Sequence, residues 1–297
     1  MRARWRGGAV VLLYHRIARV EHDPFALCVT PENFAAHIAV MARFARPTRL
    51  ADLAPSAPGT GPRSVVVTFD DGYSEILTLA LPILQRFGVP ATVFAVSGAL
   101  GRVFWWDRMI HIPPAVARAH LEATGERSAG RENRAAAGVH RRLHRLLSGM
   151  AEEERDALIG RLSEDQADGL PPPRSLTGEE LRRLHASGLF EIGGHTHSHP
   201  DLSRLDAAAQ VEEIERSRSV LTRLLDAPVT SFAYPFGTFA HFDGAIVDRV
   251  RQAGYERACT AEPGVVTGRE APFRLPRLWV QDWSEDELER RLKAWLR

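Results

Sequence analysis

Two stretches of this 297-residue chain carry residue types that can do chemistry together. The first is Val65-Val66-Val67-Thr68-Phe69-Asp70-Asp71-Gly72-Tyr73, an apolar and β-branched run that ends in two adjacent acids and a glycine. Two carboxylates ionised in one pocket repel each other. The pair therefore calls for a cation, or for a division into one ionised and one tuned acid. A plain Asp-Gly turn after a strand is the alternative reading. The second stretch is His195-Thr196-His197-Ser198-His199-Pro200. His195 and His199 stand four apart, so one helical turn of backbone would put them on a common face. Two imidazoles and one carboxylate at strand ends form a ligand set typical of catalytic zinc, with positions left open for water and substrate. A solvated polar loop is the alternative. No His-Glu-x-x-His run is present, so zincin-protease chemistry is not indicated.

Both stretches need strands to position them. The apolar run 65–69 reads as a buried strand of a parallel sheet, and the acids fall where it stops, the end at which α/β folds gather functional groups. Ala9 to Tyr14 reads as a first buried strand that leaves His15 at its tip. Further strands are expected at 91–96, 189–194, 231–235, 256–260 and 277–280. Residues 17–30 and 53–63 read as loops. Thr30-Pro31-Glu32-Asn33 opens a helix to about Arg43, with Thr30 as N-cap and Asn33 near the capping-box position. Helices are expected over 75–87, from Thr177 to Gly188 with Glu180 completing a capping box, over 207–225 with a solvated Glu/Arg face, over 245–253 and from Trp283 to Leu296. This alternation predicts a βα-repeat architecture.

The alternation breaks between about 102 and 175. That segment shows no good strand, helical patterns over 107–122, 132–149 and 152–166, and Pro171-Pro172-Pro173 at its close. It reads as a helical insertion in a single domain spanning 1–297. Trp105 and Trp106 offer flat rings to floor a sugar site, against the alternative that they anchor the insertion. Net charge is +1, so no strong field argues for nucleic acid or an anionic membrane. Lys293 is the only lysine beside 37 arginines, which reads as genome composition rather than a binding surface. Cys28 and Cys259 give neither a disulfide framework nor a cysteine zinc site, and read as buried thiols. Met1 to Tyr14 resembles a signal peptide only faintly, with a short apolar core and no small-residue cleavage site. No stretch approaches the length of a membrane span.

Thr68-Phe69-Asp70-Asp71-Gly72, then His195-Thr196-His197-Ser198-His199-Pro200-Asp201-Leu202, then Phe232-Ala233-Tyr234-Pro235-Phe236-Gly237 resemble the first three motifs of the polysaccharide deacetylases, the NodB-homology group or carbohydrate esterase family 4. The resemblance covers most of the chain outside the insertion. It implies an α/β fold, a distorted (β/α) barrel of about seven strands, with a metal held by Asp71, His195 and His199. Zinc is the usual ion, with cobalt or nickel as other possibilities. It implies Asp70 as general base and the backbone N–H of Phe236 as oxyanion donor. In many members a C-terminal Leu-x-His supplies the acid, but no histidine follows His241 here. Leu13-Tyr14-His15-Arg16 resembles the permuted arrangement of poly-N-acetylglucosamine deacetylases, with His15 as general acid.

There are two departures. Ala233 and Tyr234 stand where the family often has a base-orienting arginine; Arg277 is the candidate replacement and Arg274 its competitor. A convincing export segment is also missing, which points to a cytoplasmic bacterial enzyme and a small or lipid-linked sugar. His197 is expected to face away from the site, and Thr196 and Ser198 to bond loop backbone. His22, His37, His111, His120, His140, His144, His185 and His241 read as surface or structural. The function expected is removal of an N-acetyl group from an N-acetylated amino sugar, its only partner being that substrate, with oligomeric state open. The alternatives are a deformylase or other linear-amide hydrolase, and a catalytically inactive carbohydrate-binding module.

Overall fold

The computed structural model describes residues 9–53, 63–125, 135–163, 172–268 and 270–296. Met1 to Gly8, most of the expected 53–63 loop, the ends of two expected insertion helices and Pro171 lie outside the described residues. The strands are β1 (Ala9–Tyr14), β2 (Arg16–Ile17), β3 (Cys28–Val29), β4 (Arg46–Pro47), β5 (Ser64–Phe69), β6 (Ala91–Ala95), β7 (Phe190–Gly194), β8 (Ser231–Ala233), β9 (Arg257–Cys259) and β10 (Leu278–Trp279). The helices are α1 (Pro31–Phe44), α2 (Leu81–Phe87), α3 (Trp105–Ile110), α4 (Pro114–Ala123), α5 (Ala136–Leu147), α6 (Glu152–Ser163), α7 (Gly178–Ala186), α8 (Ala207–Leu225), α9 (Gly244–Gln252) and α10 (Glu285–Trp295). The chain divides into two compact units: Met1–Arg19 with Cys28–Gly101 and Ser175–Arg297, and Val20–Leu27 with Arg102–Arg174.

In the first unit the seven expected strands form one curled parallel sheet in the order β10-β1-β5-β6-β7-β8-β9. Cys259 of β9 also bridges in parallel to Leu275, three residues before β10, and the curled sheet with its helices is the distorted (β/α) barrel expected. Strand alternation explains the two cores. Val11, Val66, Phe94, Ala233 and Cys259 point inward, where Leu50 and Leu275 join them. Val10, Leu12, Tyr14, Val65, Val67 and Phe69 point outward, into a core shared with Phe34, Ile38 and Met41 of α1 and Leu288 and Leu292 of α10. Each such buried aliphatic contributes about 1.5–3 kcal/mol. Gly193 and Gly194 end β7 because both sides are full. A Cβ on Gly193 would sit 2.5 Å from the Phe94 ring, and one on Gly194 2.2 Å from the Tyr255 hydroxyl.

Several details depart from the sequence reading. The expected 17–30 loop contains a short parallel pair, β2 with β3. Cys28 is only half-buried, whereas Cys259 is buried as expected. The helix expected from Glu75 begins with a π-helical turn over Ile76–Ala80. Thr30 caps α1, but the Asn33 side chain bonds Asp282 (2.7 Å) instead of completing a box, and Asp282 also takes the Thr30 N–H (2.8 Å). His37 is fully buried: the Tyr14 hydroxyl donates to its Nδ1 (3.2 Å) and its Nε2–H donates to the Trp283 carbonyl (2.8 Å).

The second unit contains α3 to α6, packed around Met109, Ile112, Leu121, Val139, Leu143 and Ile159. The single helix expected over 107–122 is two, because Pro113-Pro114 forces the preceding residues out of helical geometry and suits a first-turn position of α4. Trp105 stacks on His144 (4.7 Å) under the Arg155 guanidinium, and Trp106 stacks on Phe104 (4.4 Å). Both rings are engaged in the unit's own packing, which favours the anchoring reading over a sugar floor.

Candidate active site

The inward rows of the barrel deliver the site. Val66, Thr68 and Asp70 alternate along one side of β5, and the Asp70 N–H still donates to the Tyr14 carbonyl (3.0 Å), one step beyond the strand. Alternation would send Asp71 outward. Left-handed backbone at Asp71 (φ 67°) and Gly72 (φ 73°) prevents this, and the Gly72 N–H closes a three-residue turn on the Asp70 carbonyl (2.8 Å). A positive φ at an Asp costs about 1–3 kcal/mol and persists where surrounding contacts enforce it. The turn and the chemical reading of this stretch are thus compatible, because the turn aims the second acid.

Asp70 is neutralised from within. Arg277, fully buried, donates Nη1 to Oδ1 and Nη2 to Oδ2, both at 2.7 Å. Its Nε donates to the Thr260 carbonyl (2.8 Å) and its Nη1 also to Thr68 Oγ1 (3.2 Å). Burial pushes the Asp70 carboxyl up, but the charge of Arg277, His195 nearby and the Arg277 hydrogen bonds outweigh it and hold it at about 2. The competing Arg274 is exposed. Ala233 and Tyr234, where the family often carries arginine, do other work. The Ala233 carbonyl accepts from His195, while buried Tyr234 donates to the Phe273 carbonyl and stacks on Phe242.

Asp71 faces the histidines. Its Oδ1 lies 3.7 Å from His195 Nε2 and 3.5 Å from His199 Nε2. His195 Nδ1–H donates to the Ala233 carbonyl (2.7 Å), which leaves the Nε2 lone pair toward Asp71. Burial, the largest influence, pushes the His195 imidazole toward its neutral, ligating form. One ligand atom from each of the three residues lies within 4.8 Å of the others. Ligands about 2.0–2.1 Å from a tetrahedral ion are roughly 3.4 Å apart. The donor set of one carboxylate and two imidazoles, at these separations, fits a divalent cation.

The histidines are not brought together by a helical turn. Residues 195–199 form a loop with left-handed backbone at Thr196 and His199 (both φ 63°). Thr196 Oγ1 donates to the His195 carbonyl (2.6 Å) and accepts the His199 N–H (3.0 Å), as loop bonding by this hydroxyl would require. Ser198 turns instead to Glu213 on α8, whose carboxylate accepts Ser198 Oγ–H (2.7 Å) and the N–H groups of His197 and Ser198 (both 2.8 Å). Sequence reasoning missed Glu213, since it sits in a Glu/Arg face that reads as solvated. His197 Nδ1 meets Ser97 Oγ (2.9 Å), and its backbone and ring lie where Gly98 lacks a Cβ.

Beyond β8, Phe236 repeats the device seen at Asp71. Its φ is 60°, and the Gly237 N–H closes on the Pro235 carbonyl (2.7 Å). The Phe236 ring packs against His199 and His241, each 5.2 Å away. His15 extends from β1, half-buried, with Trp279 5.4 Å from its ring, and its charge helps hold Asp70 low. The structure thus gathers Asp70, Asp71, His15, His195, His199, Phe236 and Arg277 at one end of the barrel. That set offers an ionised carboxylate, three residues whose donor atoms could hold a cation, and an imidazole.

A family model described as polysaccharide deacetylase matches residues 57–258. Among curated proteins, the poly-β-1,6-N-acetyl-D-glucosamine N-deacetylase of Staphylococcus aureus (strain MRSA252) is 22% identical over 241 residues, 78% of this chain and 59% of the relative. The putative polysaccharide deacetylase YxkH of Bacillus subtilis (strain 168) is 19% identical over 218 residues, 73% of this chain and 52% of the relative. The chain therefore spans between half and three fifths of the length of these relatives. Its fold is similar to that of IcaB from Ammonifex degensii, with a TM-score of 0.63 and 19% identity over 98% of this chain and 97% of the other. It is also similar to Streptococcus pyogenes deacetylase PplD in complex with acetate, with a TM-score of 0.62 and 16% identity over 98% and 99%. On the match of the family model to residues 57–258, this chain belongs to the polysaccharide deacetylase family, of the NodB type.

Proposed function

We propose that the chain is a metal-dependent hydrolase that removes the N-acetyl group from an N-acetylated amino sugar. The observation that carries this reading is the division of two adjacent acids: Asp70 is tied to Arg277, and Asp71 is turned to His195 and His199. Asp71, His195 and His199 would hold the ion, zinc or a relative such as cobalt or nickel. When bound there, the cation would acidify its water and polarise the scissile carbonyl, which lets a carboxylate as weakly basic as Asp70 accept a proton. Arg277 orients that carboxylate and keeps it ionised. The backbone N–H of Phe236 is the oxyanion donor, set by the strained turn that Gly237 closes. As the C–N bond breaks, the amine nitrogen takes a proton from His15, whose type suits proton transfer near neutral pH. The products are acetate and the free amino sugar.

The S. aureus relatives are named for poly-β-1,6-N-acetyl-D-glucosamine, which makes a β-1,6-linked N-acetylglucosamine oligosaccharide the first substrate to test. A small or lipid-linked cytoplasmic N-acetyl sugar is the second arm of the panel. No helix among the described residues is long and apolar enough to cross a membrane. Thorough chelation is expected to abolish acetate release, and zinc or cobalt to restore it. Undiminished release after chelation would refute the metal mechanism.

A further inference from the structure

His15 is followed at once by Arg16, and the two side chains have different company. The Arg16 guanidinium is largely buried, with 11% of its side chain exposed, and bonds one oxygen of Glu75 through both Nε (3.1 Å) and Nη2 (2.5 Å). It also lies over the ring of buried Tyr73, 5.1 Å from the centroid. The Glu75 side chain is 17% exposed. Burial opposes the Arg16 charge, and Glu75 more than offsets this, so the arginine stays firmly protonated. Glu75 stands four residues after Asp71, at the head of the π-helical turn. His15 is therefore bracketed. Just before it, the Tyr14 carbonyl accepts the Asp70 N–H. Just after it, Arg16 grips the loop that follows Asp71.

We propose that Arg16 and Glu75 are positioning residues for the reaction: their ion pair fixes His15 against the Asp70–Asp71 loop so that its proton reaches the leaving amine. The inference rests on His15 being the general acid, as proposed above. Stability alone is a weak reason for the pair, because a largely buried ion pair is often no better than apolar residues of similar volume. Two donors on one carboxylate oxygen do fix geometry, though, and a misplacement of about 1 Å can cost about a hundredfold in rate. Arg16 follows His15 directly and Glu75 follows Asp71 by four residues, so the pair's link to the reaction runs through the placing of His15 against that loop.

The test compares an N-acetylglucosamine oligosaccharide with 4-nitrophenyl acetate. The amide nitrogen must take the His15 proton as its bond to carbon breaks, whereas nitrophenolate departs without one. For Arg16→Gln and Glu75→Gln, kcat on the amide should fall about tenfold, with KM and ester turnover within about twofold of the original. Arg16→Lys, which keeps the charge but loses the two-point bond, should fall less, and the swapped pair Arg16→Glu with Glu75→Arg should recover amide turnover. His15→Ala is the reference and should lose the amide about a hundredfold while sparing the ester. Equal loss on both substrates, no amide loss in folded Arg16→Gln, Glu75→Gln or Arg16→Lys proteins, or a folded swapped pair that does not recover amide turnover, would overturn the positioning role while leaving His15 in place. If His15→Ala itself showed no difference between amide and ester, the acid assignment and the inference would both fall. Should Arg16→Gln not fold, Arg16→Lys and the swapped pair decide.

Discussion

The ends of β5 and β7 solve the same problem by opposite means. On the proposed function both present two ligating or acid–base groups to one point, and both use left-handed backbone to do it, at Asp71 and Gly72 on one side and at Thr196 and His199 on the other. The β5 end carries buried charge and contains its own counter-ion, Arg277, on both oxygens of Asp70. The β7 end is built from imidazoles with neutral partners nearby: the Ala233 carbonyl accepts from the His195 ring, and the Thr196 hydroxyl accepts the His199 backbone N–H. The Glu213 carboxylate grips the loop backbone and Ser198. A built-in cation suits an acid that must stay ionised and unliganded. Neutral partners suit groups that, on the proposed function, offer lone pairs to a cation.

The largest expected effect comes from breaking the ionic half. Arg277→Met leaves Asp70 as a buried, unpaired carboxylate, which should cost about 3–5 kcal/mol of stability and raise the Asp70 carboxyl as its main opposing charge is lost. Urea unfolding of this variant beside the parent checks it; a loss below about 1 kcal/mol would mean the pair is not structurally coupled. His37 tests the neutral mode away from the site. Burial, the largest influence, lowers its imidazole to about 4 despite the Trp283 carbonyl. The unfolded chain therefore takes the proton first. His37 contributes stability that is fully present above about pH 6.5 and is lost as pH falls toward 4, by about 3 kcal/mol at most. Unfolding of His37→Gln at several pH values should show that dependence reduced, and an unchanged slope would place the acid sensitivity elsewhere. The smallest effect is expected at the β7 loop. Glu213→Gln should weaken zinc affinity about tenfold, read by competition with a chelating dye, because it loosens the frame of the ligands without removing one. Unchanged affinity would mean that the Thr196 bond alone sets the loop.

Much of this was legible in the sequence because the seven strands of the curled sheet are short apolar runs, and His15, the two acids, the histidine motif and Phe236 follow the C-terminal ends of such runs. Local pattern also located the break after 101. It could not supply what depends on distant residues. His195 and His199 suggested a helical turn by spacing, whereas the loop geometry comes from Thr196 and from Glu213 across to α8. Arg277 could only be paired with Arg274 as a candidate, since which of the two turns inward is decided by the register Leu12 to Leu278 and Leu13 to Trp279. Pro113-Pro114 was a local signal that the helical periodicity over 107–122 overrode, and the proline geometry won. Cys28 faces outward enough to be half-exposed because it lies in a short two-stranded pair rather than in the barrel wall.

The central claim is that neighbouring carboxylates have separate roles. Asp70→Asn and Asp71→Asn, purified side by side, should be measured for bound zinc and for acetate released from an N-acetylglucosamine oligosaccharide. The account predicts that Asp70→Asn retains zinc and loses turnover by about a hundredfold or more, while Asp71→Asn loses zinc and turnover together. Zinc lost from Asp70→Asn and kept by Asp71→Asn would contradict it, and would show that the acid facing the histidines is not the one that holds the metal.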